Sequence, residues 1–473
     1  LTCRSSNTTQ QSTSSSMPPN DRFVESDADS EVVDSGMAVN AGHDGVAIRG
    51  GSPSSTTSSP DASADSVDDV AALVAPSNPK PEGRSGWPSA IFLIMNAALG
   101  AGLLNFPSAF NHAGGIGVSM AVQTVFLGFA IISLLTLSYC AKKYSCSSYQ
   151  EVVLRTCGWR AERVCSFLIA IYCYGSCVTF LVIIGDLAER TASSTYGPSF
   201  CHHWYMTREF MMMAISFVLI LPLCFPKQID FLKYPSSFGV LAVVYIVALI
   251  IYEFYFGGIP APAHTGTRPT HLRDMLNFVP VMCFGYQCHI SSVPIYACMK
   301  DKKVMTFARA ILVGLFICVL LYSLAGIYGY LTFGSDVTAD VLVMYDASGT
   351  VVLAGFVALA LKLVATYPIL MFCGRSAFDD LLPKSWLPLT APCLLIRRLA
   401  ISLFWFASSL CIACAVPSIE LVISSIGSLA ALFIFVFPTL SLLQMRIRAD
   451  RAYRQTRTKI VSCLVVFILR NGI

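Results

Sequence analysis

Charged residues are scarce in this chain. Asp, Glu, Lys and Arg together make up 13% of its 473 residues, while aliphatic, aromatic and cysteine residues make up 55%. A soluble protein carries about 25% charged residues, because its surface must face water. The composition therefore excludes a water-soluble globular protein and predicts a membrane protein with many apolar spans.

Two common catalytic motifs are also missing. The sequence has no HExxH or GxSxG segment and no cluster of carboxylates at the depth of a membrane interface. Its 18 cysteines lie mostly within apolar runs, where cysteine acts as a small packing residue. We therefore expect neither an enzyme nor an organic cofactor. A channel is disfavoured too, since the intramembrane charges form no continuous polar lining.

No apolar signal core precedes Trp87. The first 86 residues, in which acids outnumber bases, instead contain segments such as SSNTTQQSTSSS and GGSPSSTTSSPDASADSVDD. Such segments have too little apolar surface to offset the entropy lost on ordering. We predict that residues 1–86 form a disordered, acidic, Ser/Thr-rich tail, and that the first span directs membrane insertion.

Apolar runs long enough to cross a bilayer follow the tail. They lie near residues 88–110, 116–140, 164–187, 209–225, 235–256, 275–297, 307–333, 347–373, 394–415, 418–443 and, cut short, 460–469. Lys and Arg concentrate in alternate loops, at 141–163, 226–234, 298–306, 374–393 and 444–459. The positive-inside rule makes those loops and the N-terminal tail cytoplasmic. The sequence thus predicts an all-α polytopic domain, 87–473, with ten spans and a truncated eleventh.

Two spans carry glycine and polar residues at mid-depth. Span one contains NAALGAGLLNFP, with Gly100 and Gly102, and span six contains FVPVMCFGYQCHISSVP, with Gly285. Small residues that let helices pack closely would explain one such segment. Interrupted segments at matching positions of two five-span repeats instead indicate the midplane site of a transporter. Free N–H groups at a break suit a carboxylate, and free carbonyls suit a cation.

Two side-chain oxygens are candidates for completing a cation site. Asn96 lies at the entrance to the break in span one, and Thr366 lies in span eight, two residues before Pro368. Each has an ordinary alternative role: an interhelical hydrogen bond for Asn96, and a hydroxyl bonded back to its own helix for Thr366. The residues alone leave both interpretations open.

Two ionisable residues accompany these segments. Lys362 lies one helical turn before Thr366 and so on nearly the same face. Its ammonium group would replace a sodium ion at that site if it reached it; otherwise it pairs with a carboxylate or extends to the membrane interface. His289, beside the break in span six, would confer pH sensitivity or relay a proton, or else be a neutral hydrogen-bonded residue inside the bundle.

Several strings together carry a family resemblance: NAALGAGLLNFPSAF, SYQEVV, CFGYQCHISSVP, GYLTFG, YPILMFCGR and IFVFP. With these, the chain resembles the amino acid/auxin permease group, and within it the sodium-coupled neutral amino acid transporters of solute carrier family 38. The resemblance implies a leucine-transporter-like fold of two inverted five-helix repeats plus an eleventh helix. It also implies transport of neutral amino acids, with glutamine and asparagine favoured, in the lysosomal membrane in preference to the plasma membrane.

The resemblance also assigns roles to residues. Asn96 and Thr366 correspond to the side-chain ligands of a sodium ion, the expected coupling ion. Gly100, Ala101 and Gly102 correspond to the amide donors for the substrate carboxylate. The substrate-facing turn of span six corresponds to Phe284, Gly285 and Tyr286.

The long tail leaves room for a second class of function. An amino acid sensor would bind the same substrate and change how its tail engages a cytoplasmic partner, with little transport. In either case we expect a small neutral amino acid and membrane lipid as partners, and no nucleic acid.

Overall fold

The computed structural model describes residues 86–197, 204–225, 233–260, 262, 272–347, 349–381, 391–416 and 419–450. The predicted tail, apart from its last residue, and the predicted eleventh span lie outside these ranges. Within them the chain forms helices and turns and no strand, which confirms the all-α prediction.

The helices follow the predicted spans in order. They are α1 (Trp87–Ala98), α2 (Phe106–His112), α3 (Ile116–Tyr144), α4 (Tyr149–Cys157), α5 (Trp159–Tyr196), α6 (Arg208–Ile215), α7 (Lys233–Phe256), α8 (Leu272–Gly285), α9 (His289–Ala297), α10 (Val304–Phe333), α11 (Thr350–Leu381), α12 (Ala391–Ala415) and α13 (Ile419–Ala431). A 3-10 turn, Ala101–Asn105, joins α1 to α2. Helices α6 and α13 continue through π-helical turns at Ser216–Ile220 and Leu432–Val436.

Most of these helices have the length and apolar composition of membrane-spanning segments. Among the described residues, seven helices are long and apolar enough to cross one, and the pair Trp87–Ala98 and Ala101–His112 forms an eighth candidate, bent by 53°. Helix α6 and the pair α8 and α9 are shorter and lie at the predicted spans four and six. Spans one and six are therefore the two in which consecutive helices are separated by a break.

Helix α5 lies at the centre of the bundle. In its most apolar stretch 78% is buried, against 33% in α3. Helix α3 exposes Val125, Phe129 and Ile132, as expected of a surface that faces lipid. Helix α11 packs along α5, while α10 packs on both α1 and α2. The two broken spans and α10 thus form one side of the bundle, and α5 with α11 forms the other.

The loop after α10 returns to the break in span one. Gly334 ends α10 with φ of 60°, a left-handed conformation that favours glycine. The chain then forms short 3-10 turns, and the N–H of Val341 donates to the carbonyl of Leu104 at 3.2 Å. This segment, Val337–Asp346, is called the covering loop below.

Candidate substrate site at two broken helices

The break in span one lies at Leu99 and Gly100. Leu99 has φ of −68° and ψ of 93°, and Gly100 is extended, with φ of −122° and ψ of −162°. Glycine weakens a helix because it gains conformational freedom when the helix opens. The N–H of Leu103 donates to the carbonyl of Gly100 at 3.4 Å, whereas a continuous α-helix would direct it to Leu99. The Leu99 carbonyl is thereby released for another partner.

The break in span six comprises Tyr286, Gln287 and Cys288. Helix α8 ends at Gly285, α9 begins at His289, and the N–H of Cys288 donates to the carbonyl of Tyr286 at 2.9 Å. Gln287 is 7% exposed, and both polar atoms of its side chain lack a hydrogen-bond partner among the described residues. Buried polar atoms of this kind are costly unless something satisfies them.

The two breaks meet through glycine. A Cβ atom on Gly102 would lie 2.9 Å from the Cα of Gly285 and 3.3 Å from Cδ1 of Phe284. A Cβ atom on Gly285 would lie 2.9 Å from Cε2 of Phe106. No larger residue fits at either position without displacing backbone or a buried ring. Close packing, one of the two explanations left open by the sequence, therefore accounts for Gly102 and Gly285.

Gly100 is different from Gly102. A Cβ atom on Gly100 would approach nothing closer than the carbonyl oxygen of Ala98, at 3.8 Å. Its extended conformation is one that any residue adopts. Packing therefore does not require glycine at position 100.

Tyr322 of α10 connects the two breaks. Its hydroxyl lies 2.8 Å from the carbonyl oxygen of Ala98 and 2.9 Å from that of Gly285, so one hydrogen is shared between two acceptors. The same oxygen accepts a long bond, 3.5 Å, from the N–H of Gly100. The Tyr322 ring stacks on Phe106 with centroids 4.4 Å apart. One buried hydroxyl thus satisfies backbone groups from both unwound segments.

Gln123 of α3 fixes the aromatic residue of the second break. Its Nε2 donates to the hydroxyl of Tyr286 at 2.6 Å, and its Oε1 accepts from Ser323 of α10 at 3.4 Å. Gln123 and Tyr286 are each 1% exposed. Hydrogen bonds therefore link spans two, six and seven around the substrate-facing turn.

Lys362 reaches the break in span one from α11. It is 3% exposed, and its Nζ donates to the carbonyl oxygen of Leu99. Thr366, one turn later, donates its hydroxyl to the carbonyl of Lys362 at 2.8 Å. A Cβ atom on Gly239 of α7 would lie 3.3 Å from both Asn96 Oδ1 and Lys362 Cγ. The predicted cation residues and the lysine therefore lie together where spans one, five and eight meet.

His289 is the first residue of α9 and is fully buried. It lies near the backbone of Ala130 on α3, and no ion pair involves it among the described residues. Its carbonyl accepts from the hydroxyl of Ser292 at 2.7 Å. The residue lies beside the substrate-facing turn, as the sequence placed it, and Tyr286, not His289, is tied into the hydrogen-bond network there.

The structure brings the two predicted halves of the site together and adds two residues to it. Ala101, Gly102, Phe284, Gly285 and Tyr286 are all buried at the junction of the breaks. Tyr322 and Gln123 were not among the predicted site residues. The available signal was a polar side chain in the middle of an apolar span, since such residues usually face the bundle interior. Which of many such residues bridge the breaks depends on how α3 and α10 pack.

These features define a class of protein. An integral multi-pass bundle with two broken helices, meeting at buried free backbone groups, is the architecture of a secondary transporter. The family described as "Transmembrane amino acid transporter protein" matches residues 83–471 of the chain. The chain belongs to this family, which is one of transporters and not of enzymes.

The similar proteins include three with informative names. "Sodium-coupled neutral amino acid transporter 7" of Danio rerio is 38% identical over 387 residues, 79% of this chain and 82% of that protein. Its Homo sapiens counterpart is 38% identical, covering 77% of this chain and 80% of that protein. "Solute carrier family 38 member 8" of Homo sapiens is 36% identical, covering 75% and 84%. These relatives confirm the predicted resemblance to the sodium-coupled neutral amino acid transporters.

A solved structure supports the fold. MhsT in complex with L-phenylalanine aligns with a TM-score of 0.51 over 78% of this chain and 98% of its own, at 14% identity. At that identity the likeness concerns the fold alone. It confirms the predicted leucine-transporter-like architecture.

Proposed function

We propose that the chain is a secondary active transporter that moves neutral L-amino acids by alternating access, with glutamine and asparagine favoured. The observation that carries the proposal is the contact of the two breaks, Gly102 against Gly285, with Tyr322 bonded to both. A midplane site between broken helices is where transporters of this architecture bind substrate.

The backbone of span one would hold the substrate carboxylate. Gly100, Ala101 and Gly102 begin the 3-10 turn, where N–H groups have no helical acceptor. Gly100 suits this role best, because its N–H has only a long bond to Tyr322 and open space beside its Cα. Phe284, Gly285 and Tyr286 would form the opposite wall.

The hydrogen bonds support a moving unit of four spans. Tyr322 ties span seven to spans one and six, and Gln123 ties span two to span six. Such bonds let spans one, two, six and seven rock as one body against the rest. Lys362 belongs to span eight, and its side chain donates to Leu99 of span one, which is part of the moving unit. This hydrogen bond would therefore have to change as the site opens to the other side.

Sodium coupling is a proposal that rests on the names of the relatives and on the resemblance of Asn96 and Thr366 to sodium ligands. The hydroxyl of Thr366 retains lone pairs, but the Leu99 carbonyl accepts from the ammonium of Lys362. A sodium ion at the same carbonyl would lie against a like charge. The residues therefore do not fit sodium while the Lys362 ammonium is in place.

We place the protein in the lysosomal membrane with its N-terminus in the cytoplasm. The support is the resemblance of the chain and the concentration of Lys and Arg in alternate loops. Selective permeabilisation of the plasma membrane, followed by antibody access to an N-terminal tag in intact lysosomes, would test both statements.

Flux of labelled L-glutamine into reconstituted vesicles tests the transport proposal. We expect saturable uptake that L-asparagine inhibits and D-glutamine does not. A folded protein that binds glutamine but shows neither uptake nor exchange would contradict transport and favour an amino acid sensor. The same vesicles with imposed sodium, proton or no gradient would identify the driving ion.

A further inference from the structure

Lys362 is a buried cation in the middle of a membrane span. Its side chain extends from α11 to the break in span one and ends on the carbonyl oxygen of Leu99. Charged groups at this depth are costly and rare, and they usually serve function. The contact shows that the lysine does not extend to the membrane interface.

No carboxylate pairs with Lys362 among the described residues. Two acids in or near the spans have other partners: Asp186 pairs with Arg208 at 2.6 Å, and Glu420 lies 3.6 Å from His112. The thiol of Cys318 on α10 lies nearby. The ammonium is therefore held by backbone and not by an ion pair.

The Lys362 ammonium lies at the end of α1, where free carbonyl groups favour a cation. The Leu99 carbonyl is released from the helical ladder, and it stands at the C-terminal, negative end of α1. Asn96 Oδ1 and Lys362 Cγ both lie close to Gly239, each 3.3 Å from the position that a Cβ atom on that glycine would take. Free carbonyls at the end of a half-helix are the groups that coordinate cations in broken-helix transporters.

We propose that the ammonium group of Lys362 occupies the cation position at the break in span one, so that this chain binds no sodium there and transports without it. The inference rests on the proposed transport function and departs from the sodium coupling carried by the relatives' names. Lys362 acts as a tethered cation, which stabilises the carbonyl end of α1 in place of a bound ion.

The melting temperature of the purified wild type tests whether sodium binds at the cation position, and it does not require transport. A ligand that binds the folded state raises its melting temperature. We expect equal melting temperatures in sodium, potassium and choline chloride at matched ionic strength. A sodium-specific rise in the wild type that Asn96→Ala or Thr366→Ala removes would overturn the proposal.

Flux measurements with two variants complete the test. A coupling ion changes affinity by about 5- to 150-fold in typical cases, so we expect wild-type glutamine flux to change by less than about fivefold when potassium replaces sodium. Lys362→Ala should lose flux in potassium and recover it in sodium, which could enter the vacated position. Lys362→Arg keeps a cation at this position, so whatever glutamine flux it retains should be the same in sodium and in potassium.

The outcomes separate this inference from the proposed function. Wild-type flux that collapses without sodium overturns the inference and leaves transport intact. Absence of glutamine flux in every ion condition, from protein that is folded and binds glutamine, overturns the transport function itself. If Lys362→Ala does not fold, the wild-type flux measured in sodium and in potassium still shows whether transport requires sodium.

Discussion

The breaks in spans one and six look alike in the sequence and are built differently. In span one the unwound segment presents backbone: Gly100 is extended, with room beside it and a weakly held N–H. In span six the unwound segment presents side chains: Tyr286 is anchored by Gln123, and Gln287 is buried without a partner. Under the proposed function, the first break would bind the groups common to all amino acids, and the second would set side-chain selectivity.

The two glycines of the first break also differ from each other. Gly102 packs against backbone of the second break, whereas Gly100 faces open space. One motif therefore serves two purposes: Gly102 allows the breaks to meet, and Gly100 leaves a backbone donor accessible. Substitutions that separate these purposes test the comparison most directly.

Gly102→Leu should have the largest effect, because its Cβ would overlap the Cα of Gly285, which cannot rotate away. We expect a loss of stability of about 3 kcal/mol or more and little folded protein. Size-exclusion profiles and melting temperature in detergent would measure it. Gly128→Leu on α3 is the control, since a Cβ atom there meets nothing within 4 Å; equal stability of the two variants would refute close packing of the breaks.

Tyr322→Phe removes the hydroxyl that bridges the breaks and keeps the ring that stacks on Phe106. The carbonyls of Ala98 and Gly285 then lose a buried donor, at a cost of about 1–3 kcal/mol. We expect glutamine flux to fall about tenfold, since the link between the moving spans is lost. Tyr328→Phe on the same helix, whose hydroxyl meets Tyr255 at an exposed site, should retain flux. Equal flux from both variants would remove Tyr322 from the site.

Gly100→Ala should fold normally, because its Cβ has space and its backbone is extended. We expect a melting temperature close to that of the wild type, with KM for glutamine, asparagine and alanine raised by a similar factor. The added methyl group hinders the approach of the carboxylate that all three share. A change confined to one substrate would place Gly100 near the side-chain pocket instead.

Asp340→Asn should have the smallest effect and concerns the covering loop over the first break. Burial raises the pKa of Asp340 from 3.8 to about 7, with Asp186 adding to the rise, while the N–H of Leu342 donates to Oδ1 at 3.0 Å. Because the folded protein holds the proton more tightly, stability from this group is full below about pH 4 and is lost as pH rises through about 7. The wild type should lose about 2 °C or more in melting temperature between acid and neutral pH.

The Asn variant cannot lose a proton, so its melting temperature should depend less on pH over the same range. Melting curves of both proteins across that range would measure the difference. A wild type and a variant with the same pH dependence would show that Asp340 is ionised when folded. That result would leave the comparison of the two breaks unchanged, because the loop lies above them.

Much of this protein followed from the order of its residues. Scarce charge and long apolar runs predicted the helical bundle, because a chain in lipid must satisfy its backbone within helices. Glycine and polar residues at Gly100, Gly102 and Gly285 located both breaks, since weak helical propensity is a local property. Helical spacing placed Lys362 and Thr366 on one face, and the family resemblance associated Asn96 with Thr366.

Tertiary packing decided the rest. Whether a glycine serves packing or leaves space depends on what lies opposite, so only the contact of the two breaks distinguishes Gly102 from Gly100. Tyr322 and Gln123 join the site through helices distant in sequence, and no local pattern specifies that meeting. The destination of Lys362 was open in the sequence for the same reason. Its long side chain could reach an interface, a carboxylate or a carbonyl, and the crossing of α11 with α1 directs it to Leu99.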